Sequence, residues 1–566
     1  MTSGPDLDSW RYWWGFHRDR FLELKHHVGL PDGVVTPEAI PGSLRPAREE
    51  LARDVVPALL QVVAKESSPM LVASAAIALA VIGEEPDSVY STLVGCLPSG
   101  NRMVSESATI SLGILGTPGA LVALVDLLGD TEEGRRLCAR REVPWRTRAT
   151  AAYGIGLAGG REGAGHARVR AQDALLRTLA GPDASPTKDV GVATVLSLAM
   201  IPDPERRAIS ALRRWFAEHQ EREKLVCAHV APALGRLLAN GAAPDRTAFA
   251  EEMATAIEKR DRKSDRWIVS GQAIALGLVT RAGDPHAPRV ARVLQDLVEK
   301  DRSRNALAAD FAMMALGEIA ATGAPGGDLE RALLQRATAT GGRVSSRAWA
   351  ALALGVAGHG QAKEGRLLPD DPVGGAMLAA MRDIQDPDQQ AAFAVGLGLR
   401  RHLDAAPHLR QRMESVNVDE SRGFFALGLG LMGARESRGA ILDAVRGASR
   451  RPALLKEAAI GLALLGDKDV VDVLVGSLED PENRTFVAQA AVADALGYVG
   501  DRRAVAPLLR ALRDEDHKRT DSTRVFAAVA LGLIGDRDEM PWNSRISMHF
   551  NYPAFVETLF DLIWES

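Results

Sequence analysis

Cysteine and aromatic residues are scarce in this sequence of 566 residues. Its three cysteines, Cys96, Cys138 and Cys227, are odd in number and show no Cys-x-x-Cys spacing, which argues against a disulfide framework and against a thiolate metal or redox site. Aromatic residues make up only 5% of the chain, whereas glycine is abundant, with 53 residues. This bias suits helices that stack closely through small side chains.

Long apolar runs and an excess of positive charge are also missing. No apolar run reaches the ~18 residues that a membrane helix needs, and no basic segment followed by an apolar run opens the chain. We therefore expect no membrane span, no signal peptide and a cytoplasmic location. Basic and acidic residues number 68 and 73, for a net charge of −5. Proteins that coat nucleic acid are usually basic overall, so a nucleic-acid partner is not expected.

A short phrase recurs along the chain: small and apolar residues, a Leu-Gly or similar step, further apolar residues, then glycine. Clear copies end at Gly83, Gly116, Gly466, Gly500 and Gly535. Gly83 and Gly116 are 33 residues apart, and the last three glycines follow one another at 34 and 35 residues. A period of ~30–45 residues is typical of repeat architectures. With looser copies included, the chain holds about thirteen.

A second apolar pattern lies between the copies, for example at 120–130, 470–480 and 504–514, with the i, i+3, i+4, i+7 spacing of a helix. Asp-Pro steps such as Asp480-Pro481 end this pattern. Each repeat is therefore predicted to consist of a helix, a turn and a second helix. No segment alternates with period 2 for long enough to predict a sheet. The expected fold class is all-α, a right-handed α-solenoid of about thirteen helical pairs whose second helices line the concave face.

This pattern resembles the HEAT-repeat family, and specifically the bacterial HEAT-like repeats named after phycobilisome lyases, over roughly residues 46–540. The resemblance implies an arginine at the start of the second helix, eight residues before the Leu-Gly glycine. Ser105 and Val269 stand at this position in two repeats, so a continuous arginine ladder is not expected. Arginine occupies the position four times: Arg148, Arg347, Arg422 and Arg524. We expect them along one edge, bonded to a loop aspartate or carbonyl or available to a partner.

Aromatic residues concentrate near both ends of the chain. Residues 7–21 hold six of the 27, among them Trp10, Trp13 and Trp14, and residues 542–564 hold another six. The end repeats of a solenoid expose an apolar face, so we interpret both clusters as caps. The alternative is a docking patch of aromatic residues with arginines nearby. The predicted segments are an N-terminal Trp-rich cap at 1–45, the repeat array at 46–540 and a C-terminal aromatic cap at 541–566.

Two charged segments interrupt the repeats. Residues 132–148 contain six arginines against three glutamates, and residues 258–266 contain five basic against three acidic residues. Each segment is either a solvated loop with internal ion pairs or a site for an anionic partner. The candidate contact residues of the first segment are Arg135, Arg136, Arg140, Arg141, Trp145 and Arg148.

Catalytic and cofactor motifs are not found. Gly-x-Gly-x-x-Gly occurs at 154–159 and 428–433, but both copies lie within a predicted helix, whereas a dinucleotide site needs a strand before the glycines. No histidine precedes a glutamate, as the di-iron site of the HEAT-like enzyme deoxyhypusine hydroxylase would require. His17 and the pair His26-His27 have no further ligand at helical spacing. We therefore expect no metal and no cofactor.

The expected function is a non-catalytic scaffold that binds protein partners on its curved surface. Two alternatives stay open. One is an enzyme or enzyme accessory related to bilin lyases, which attach chromophores, and the other is a nucleic-acid-binding α-solenoid of the alkylpurine-glycosylase kind. The candidate contact residues are those of the first charged segment, the arginines at the starts of second helices, and the three N-terminal tryptophans.

Overall fold

The computed structural model describes twelve stretches of the chain: 7–23, 45–161, 163, 165–181, 187–261, 264–300, 306–339, 343–448, 450–467, 469–479, 485–514 and 520–564. Within these residues every regular element is helical and no strand occurs. The predicted break at Asp480-Pro481 and the histidine pair His26-His27 lie outside them. No helix of the described residues has the length and apolar character that crossing a membrane requires.

Twenty-eight helices of eight or more residues follow one another along the described part of the chain. Those of the first half are α1 (Trp10–His17), α2 (Val56–Lys65), α3 (Pro69–Ile82), α4 (Pro86–Cys96), α5 (Arg102–Leu115), α6 (Pro118–Leu128), α7 (Trp145–Gly159), α8 (Gly165–Ala180), α9 (Lys188–Met200), α10 (Arg207–His219), α11 (Lys224–Leu238), α12 (Ala243–Glu258), α13 (Arg266–Val279) and α14 (Ala287–Lys300).

Those of the second half are α15 (Ala306–Ala321), α16 (Asp328–Thr338), α17 (Val344–Lys363), α18 (Pro372–Asp383), α19 (Pro387–Leu399), α20 (Ala406–Ser415), α21 (Asp419–Leu431), α22 (Arg438–Arg446), α23 (Pro452–Leu464), α24 (Val470–Glu479), α25 (Phe486–Val499), α26 (Val505–Arg513), α27 (Asp521–Gly535) and α28 (Glu557–Trp564). Short turns of helix, such as Glu132–Leu137, connect some of them.

From α2 to α27, each even-numbered helix forms a pair with the odd-numbered helix that follows it, which gives thirteen pairs in the described residues. The predicted helix-turn-helix unit and its number are confirmed. The odd-numbered helices, here called inner helices, pack closely on one another within each compact unit, whereas the even-numbered outer helices contact one another sparsely. The tighter layer of a curved stack lies on its concave side, so the inner helices line the concave side of each unit.

Side-chain caps and glycines fix the ends of the inner helices. At the start of α5, the Asn101 side-chain oxygen accepts a hydrogen bond from the Val104 N–H. At its end, Gly116 has a φ of 66°, a left-handed conformation that glycine adopts without the steric cost of a Cβ atom. Gly83 and Gly500 cap their inner helices in the same left-handed conformation.

The chain forms two compact units. Unit 1 consists of Met1–Phe21, Pro202–Ser437 and Ser547–Val556, and holds the six pairs from α10 to α21. Unit 2 consists of Leu22–Ile201, Arg438–Ile546 and Glu557–Ser566. It holds seven pairs, four from the beginning of the repeat array (α2 to α9) and three from its end (α22 to α27).

The first and last repeats of the array are neighbours in unit 2, because the inner helix α27 packs on the inner helix α3. A Cβ atom added at Gly532 would lie only 2.8 Å from the Cα atom of Ala78, so the two backbones are in contact. Arg524 bonds to the carboxylate of Glu66 at the same junction. The apolar face of each terminal repeat is therefore covered by the other.

Glycines allow inner helices to approach within backbone contact elsewhere too. A Cβ atom at Gly113 in α5 would lie 2.2 Å from the Cα atom of Gly154 in α7. In unit 1, a Cβ atom at Gly355 would lie 2.5 Å from the Cα atom of Gly396. The glycine spacing at 154–159 therefore serves helix packing, in the last turns of α7, and no strand precedes it.

Candidate partner-binding surface

The four arginines at the starts of inner helices each make the same kind of hydrogen bond. In each case the Nε atom donates to a backbone carbonyl near the C-terminal end of the outer helix of the same pair, at 2.8–3.1 Å. The pairs are Arg148 with Leu128, Arg347 with Ala337, Arg422 with Met413, and Arg524 with Leu512. The last carbonyls of a helix lack intrahelical donors, and a positive charge there is favourable. These arginines therefore join the two helices of their pair.

The three N-terminal tryptophans are buried within unit 1. The Trp10 indole N–H donates to the Asp388 carboxylate at 3.1 Å, and its ring centroid lies 4.9 Å from that of Phe424. Trp13 stacks on His17, and Trp14 stacks on Phe21. Their rings therefore present little surface to a partner while α1 is in place.

Residues 8–21 cross the inner helices of the second half of unit 1. Trp349 in α17 donates from its indole N–H to the backbone carbonyl of Asp8 at 3.1 Å. Arg11 forms ion pairs with Asp388 in α19 and with Glu420 in α21. Arg20 donates to Glu318 in α15 at 2.8 Å. Four inner helices, from α15 to α21, are thus contacted by this one segment.

The segment Ser547–Val556 lies on the remaining inner helices of unit 1. The Asn551 side chain donates to the carbonyls of Ala228 in α11 and Trp267 in α13, at 3.1 and 2.6 Å. The Tyr552 ring lies 5.2 Å from that of Phe311 in α15. Both terminal segments therefore contact inner helices of the middle repeats. The segment boundaries at 45/46 and 540/541 stay a prediction.

The two terminal segments contact each other through histidines. The backbone N–H of His549 donates to Nε2 of His17 at 3.3 Å, while Nδ1 of His17 lies 2.7 Å from the carbonyl of Trp13. Burial, reinforced by the charge of Arg20, lowers the pKa of His17 to about 3. Burial and Arg20 also hold the pKa of His549 well below its usual range. Both rings are therefore neutral near pH 7.

In unit 2, α28 lies on the inner helices α7 and α9. Arg146 in α7 bonds to Glu106 at 2.8 Å, to Glu557 at 2.9 Å and to Asp561 at 2.6 Å. The backbone N–H of Thr558 donates to the Asp189 carboxylate at 2.9 Å. A terminal segment therefore also covers part of the inner layer of unit 2.

The basic segment 132–148 divides into paired and unpaired arginines. Arg135 is bonded to Asp130 at 2.7 Å, and Arg136 to Glu133 at 2.6 Å. Arg140 and Arg141 are exposed, and within the described residues their guanidinium groups make no hydrogen bond or ion pair. Trp145 is 40% exposed. The predicted contact residues that stay open to a partner are therefore Arg140, Arg141 and Trp145.

The second basic segment, 258–266, lies partly outside the described residues, since 262–263 are not among them. Arg260 donates to the carbonyl of Ile257 at 2.9 Å. Arg266 lies over the ring of Trp267, 5.1 Å from its centroid. The described arginines of this segment thus have partners within the chain.

Three further exposed residues, at the starts of α3 and α5, carry no motif in the sequence. Met70 is 38% exposed, Met103 is 41% exposed, and the Arg102 side chain is 59% exposed. They occupy the first two positions of the inner helices α3 and α5, as Trp145 does in α7. Their shared position, at the first or second residue of an inner helix, could identify them in the sequence if the repeats were aligned with one another. No group of three or more His, Cys, Asp or Glu residues that could hold a metal ion occurs in the described stretches.

Comparisons with known proteins found one family and several solved structures to which this chain is similar. The family described as HEAT repeats matches residues 56–143, which span α2 to the segment before α7. A structure of Kap121p aligns with a TM-score of 0.38 at 14% identity, over 83% of this chain and 52% of that chain. Kap121p bound to Ste12p aligns with a TM-score of 0.38 at 13% identity, over 85% and 53%.

The karyopherin Kap121p bound to the extreme C-terminus of the protein phosphatase Cdc14p aligns with a TM-score of 0.36 at 14% identity, over 83% of this chain and 52% of that chain. This chain thus spans about half the length of these structures. No curated protein sequence matches it. The chain is an all-helical protein of thirteen described helix pairs, with a HEAT-repeat match at residues 56–143.

Proposed function

We propose that this chain is a non-catalytic scaffold that binds protein partners through the exposed edge of unit 2 around Trp145. The inner helices of unit 1 are contacted by the chain's own terminal segments, which directs a partner to surfaces left open. The observation that carries the proposal is the exposure of Trp145 together with that of Arg140 and Arg141, which precede it by five and four residues. Tryptophan and arginine are the side chains most enriched at the energetic centres of protein interfaces.

Proteins are the favoured partner class because stacked helices offer a long contact surface without a catalytic residue set. The acidic net charge of −5 disfavours a nucleic-acid partner. The relationship to phycobilisome-lyase repeats, the bacterial source, the cytoplasmic location and the chromophore-attachment alternative stay predictions.

Affinity purification from the native cell, followed by mass spectrometry, tests the proposal. The tagged full-length chain is compared with Trp145→Ala and with the double variant Arg140→Glu/Arg141→Glu. We expect a set of proteins recovered with the wild type to be depleted by both variants, and the purified partner to bind at least about tenfold more weakly to each. Circular dichroism verifies that the variants are folded.

The matched control is Leu403→Ala with Arg331→Glu, since both residues are exposed in unit 1. This control should recover the same proteins as the wild type. If Trp145→Ala and Arg140→Glu/Arg141→Glu recover the same proteins in the same amounts as the wild type, the proposed edge is not the binding surface.

A further inference from the structure

Residues 8–21 lie on a surface of unit 1 whose helices are held together without them. This surface consists of the inner helices α15, α17, α19 and α21 and is here called the covered surface. Backbones meet at each of its three helix interfaces, since a Cβ atom added at Gly317, Gly355 or Gly398 would lie 2.5 to 2.8 Å from a backbone atom of the next helix. These contacts involve no residue of 8–21, so the segment lies on the covered surface as a bound peptide would.

Three carboxylates of the covered surface have their cations on the segment. Arg11 pairs with Asp388 at 2.6 Å and with Glu420, which are the second residues of α19 and α21. Arg20 pairs with Glu318 in α15 at 2.8 Å. Among the described residues, no other arginine or lysine pairs with these three carboxylates. The segment therefore supplies the charge that is complementary to the surface beneath it.

The remaining charges of the four helices do not neutralise these carboxylates. Apart from histidine, the other charged residues of the helices are Asp310, Arg347, Lys363, Asp419 and Arg422. Asp310 is bonded by Arg343, and Asp419 lies 3.7 Å from Arg422. The Nε atoms of Arg347 and Arg422 bind outer-helix carbonyls, and Lys363 is exposed at the last position of α17. The three carboxylates are therefore matched by the segment that covers them.

The segment also places aromatic rings on the covered surface. The Trp10 indole N–H donates to Asp388 at 3.1 Å, and its ring centroid lies 4.9 Å from that of Phe424 in α21. Trp13 borders a cavity together with Phe311 of α15. Tryptophan and arginine in one short segment are therefore the chemistry that this surface accepts.

The segment is not fully satisfied in this position. Trp14 is 1% exposed, and its indole N–H has no acceptor among the described residues. The Nε atom of Arg20 is likewise buried with no partner there. A buried donor without an acceptor costs free energy, and the side chains of Arg11, Asp388 and Glu420 are partly open to water. A segment that satisfies its own donors can therefore compete with residues 8–21 for the covered surface.

We infer that the covered surface binds a segment of a partner protein that carries tryptophan and arginine, and that residues 8–21 occupy it as an internal inhibitor. The partner's arginines pair with Asp388, Glu420 and Glu318. Its aromatic rings take the places of Trp10 and Trp13. This site belongs to unit 1, whereas the proposed function uses residues of unit 2, so neither depends on the other.

Native-state hydrogen exchange on the wild-type, full-length chain tests whether the segment can leave the surface. Amides of α1 should exchange at least about tenfold faster than those of α17 and α19, through an opening in which the inner helices stay protected. Equal protection of the three helices would mean that the segment is an integral part of unit 1, which overturns the inference. This measurement needs no variant, so it decides the case even if a variant does not fold.

A synthetic peptide with the sequence of residues 7–23 is the binding probe, and fluorescence anisotropy is the measurement. Arg11→Glu in the full-length chain places like charges opposite Asp388 and Glu420 and so weakens the hold of its own segment. This variant should bind the peptide at least about tenfold more tightly than the wild type, because the tethered competitor is weakened. Arg410→Glu, at an exposed position of the outer helix α20, is the control and should bind as the wild type does. Circular dichroism verifies folding of each variant.

Charge reversal locates the bound peptide. Full-length Asp388→Lys/Glu420→Lys should bind a peptide carrying Arg11→Glu at least about tenfold more tightly than the wild-type peptide, the reverse of the preference shown by the Arg11→Glu chain. A displayed library of random peptides of the segment's length, selected on the Arg11→Glu chain, should enrich peptides that combine tryptophan with positive charge.

Several outcomes overturn the inference: folded variants that bind neither peptide, a peptide preference that charge reversal leaves unchanged, or selected peptides that are acidic or lack tryptophan. A wild-type dimer in light scattering that the free peptide dissociates into monomers would also overturn it, because the occupant would then be a second copy of this chain. None of these results bears on the proposed function, whose test rests on Trp145, Arg140 and Arg141.

Discussion

Arginine has three roles in this protein, set by where its side chain lies. At the starts of four inner helices its Nε atom binds an outer-helix carbonyl. In the core of unit 1, Arg400 is fully buried and bonds to Asp371 and Glu330. A buried guanidinium is tolerated only with such partners, because the cost of removing a charge from water is large. Arg140 and Arg141 keep their hydration, and so their charge is available to a partner.

Replacing Arg347 by alanine should destabilise the protein, because the carbonyl of Ala337 loses its donor. Hydrogen bonds to charged groups contribute about 1.5–3 kcal/mol, so the free energy of unfolding in urea should fall by about that amount. Arg136→Ala is the control, since the Arg136 side chain is 77% exposed and, among the described residues, pairs only with Glu133 within its own turn. Equal effects of the two substitutions would show that the carbonyl bond adds nothing.

The neutral histidines predict acid sensitivity of unit 1. The pKa of His17 is about 3 in the folded chain against 6.5 when unfolded, so the unfolded chain binds a proton first as the pH falls. Stability that is complete above pH 6.5 is therefore lost progressively between pH 6.5 and about 3. Burial lowers the pKa of His229 to about 4, with the same sign.

The buried carboxyl group of Asp310 changes stability with pH in the opposite direction to His17. The wild type is therefore compared with His17→Gln, because the contribution of Asp310 is present in both proteins. Burial raises the pKa of Asp310 to about 7 against the lowering influence of Arg343, so its contribution is lost as the pH rises. Between pH 7 and pH 5 the wild type should lose about 2 kcal/mol more than the variant in urea unfolding. Parallel pH profiles of the two proteins would contradict a neutral, buried His17.

At the scale of the helix, the inner helices depend on small residues where backbones touch. Gly113 in α5 faces the backbone of Gly154 in α7, so even a methyl group has no room there. Gly375, in the outer helix α18, is exposed, and an added Cβ atom would find no other atom within 4 Å. The same residue type is thus required in one helix and dispensable in the other.

Gly113→Ala and Gly375→Ala should therefore change stability in opposite directions. Overpacking in α5 should cost about 1–3 kcal/mol, more than the gain in helix propensity returns. Gly375→Ala should raise the free energy of unfolding by about 0.5–1 kcal/mol, because glycine is a poor helix former. Thermal or urea unfolding measures both, and stabilisation by Gly113→Ala would contradict the backbone contact.

At the scale of the whole molecule, the neighbouring first and last repeats are the feature with the widest consequence. Unit 2 contains four pairs from the start of the repeat array and three from its end, joined where α27 packs on α3. An array with free ends needs separate caps. Here the two terminal repeats cover each other's apolar faces.

Ala78→Leu tests this junction by hydrogen exchange. Leucine in place of alanine would collide with the backbone at Gly532, so amides of both α3 and α27 should exchange faster. Amides of α15 in unit 1 serve as the internal control and should keep their protection. Faster exchange confined to α3 would mean that the last repeat does not pack on the first.

Much of the fold follows from the sequence. The glycine-closed phrase recurs at a period set by one helix pair, and apolar residues at helical spacing fix the pairs, so thirteen could be counted. The arginine position follows from the resemblance, and its carbonyl bond was one of the two expected alternatives. These features are local, since each is decided within one repeat or between adjacent repeats.

The sequence by itself determined the helix pairs, their number and their small-residue contacts. Only the tertiary structure decided that α27 meets α3 and that the N-terminal aromatic residues lie on inner helices of unit 1. It also decided that the exposed Met70, Met103 and Trp145 lie at the starts of neighbouring inner helices. These contacts join residues hundreds of positions apart, such as Trp10 with Asp388 and Glu66 with Arg524. The physical reason is that a repeat pattern specifies each repeat's neighbours along the chain, whereas long-range contacts depend on how twist and curvature accumulate over many repeats.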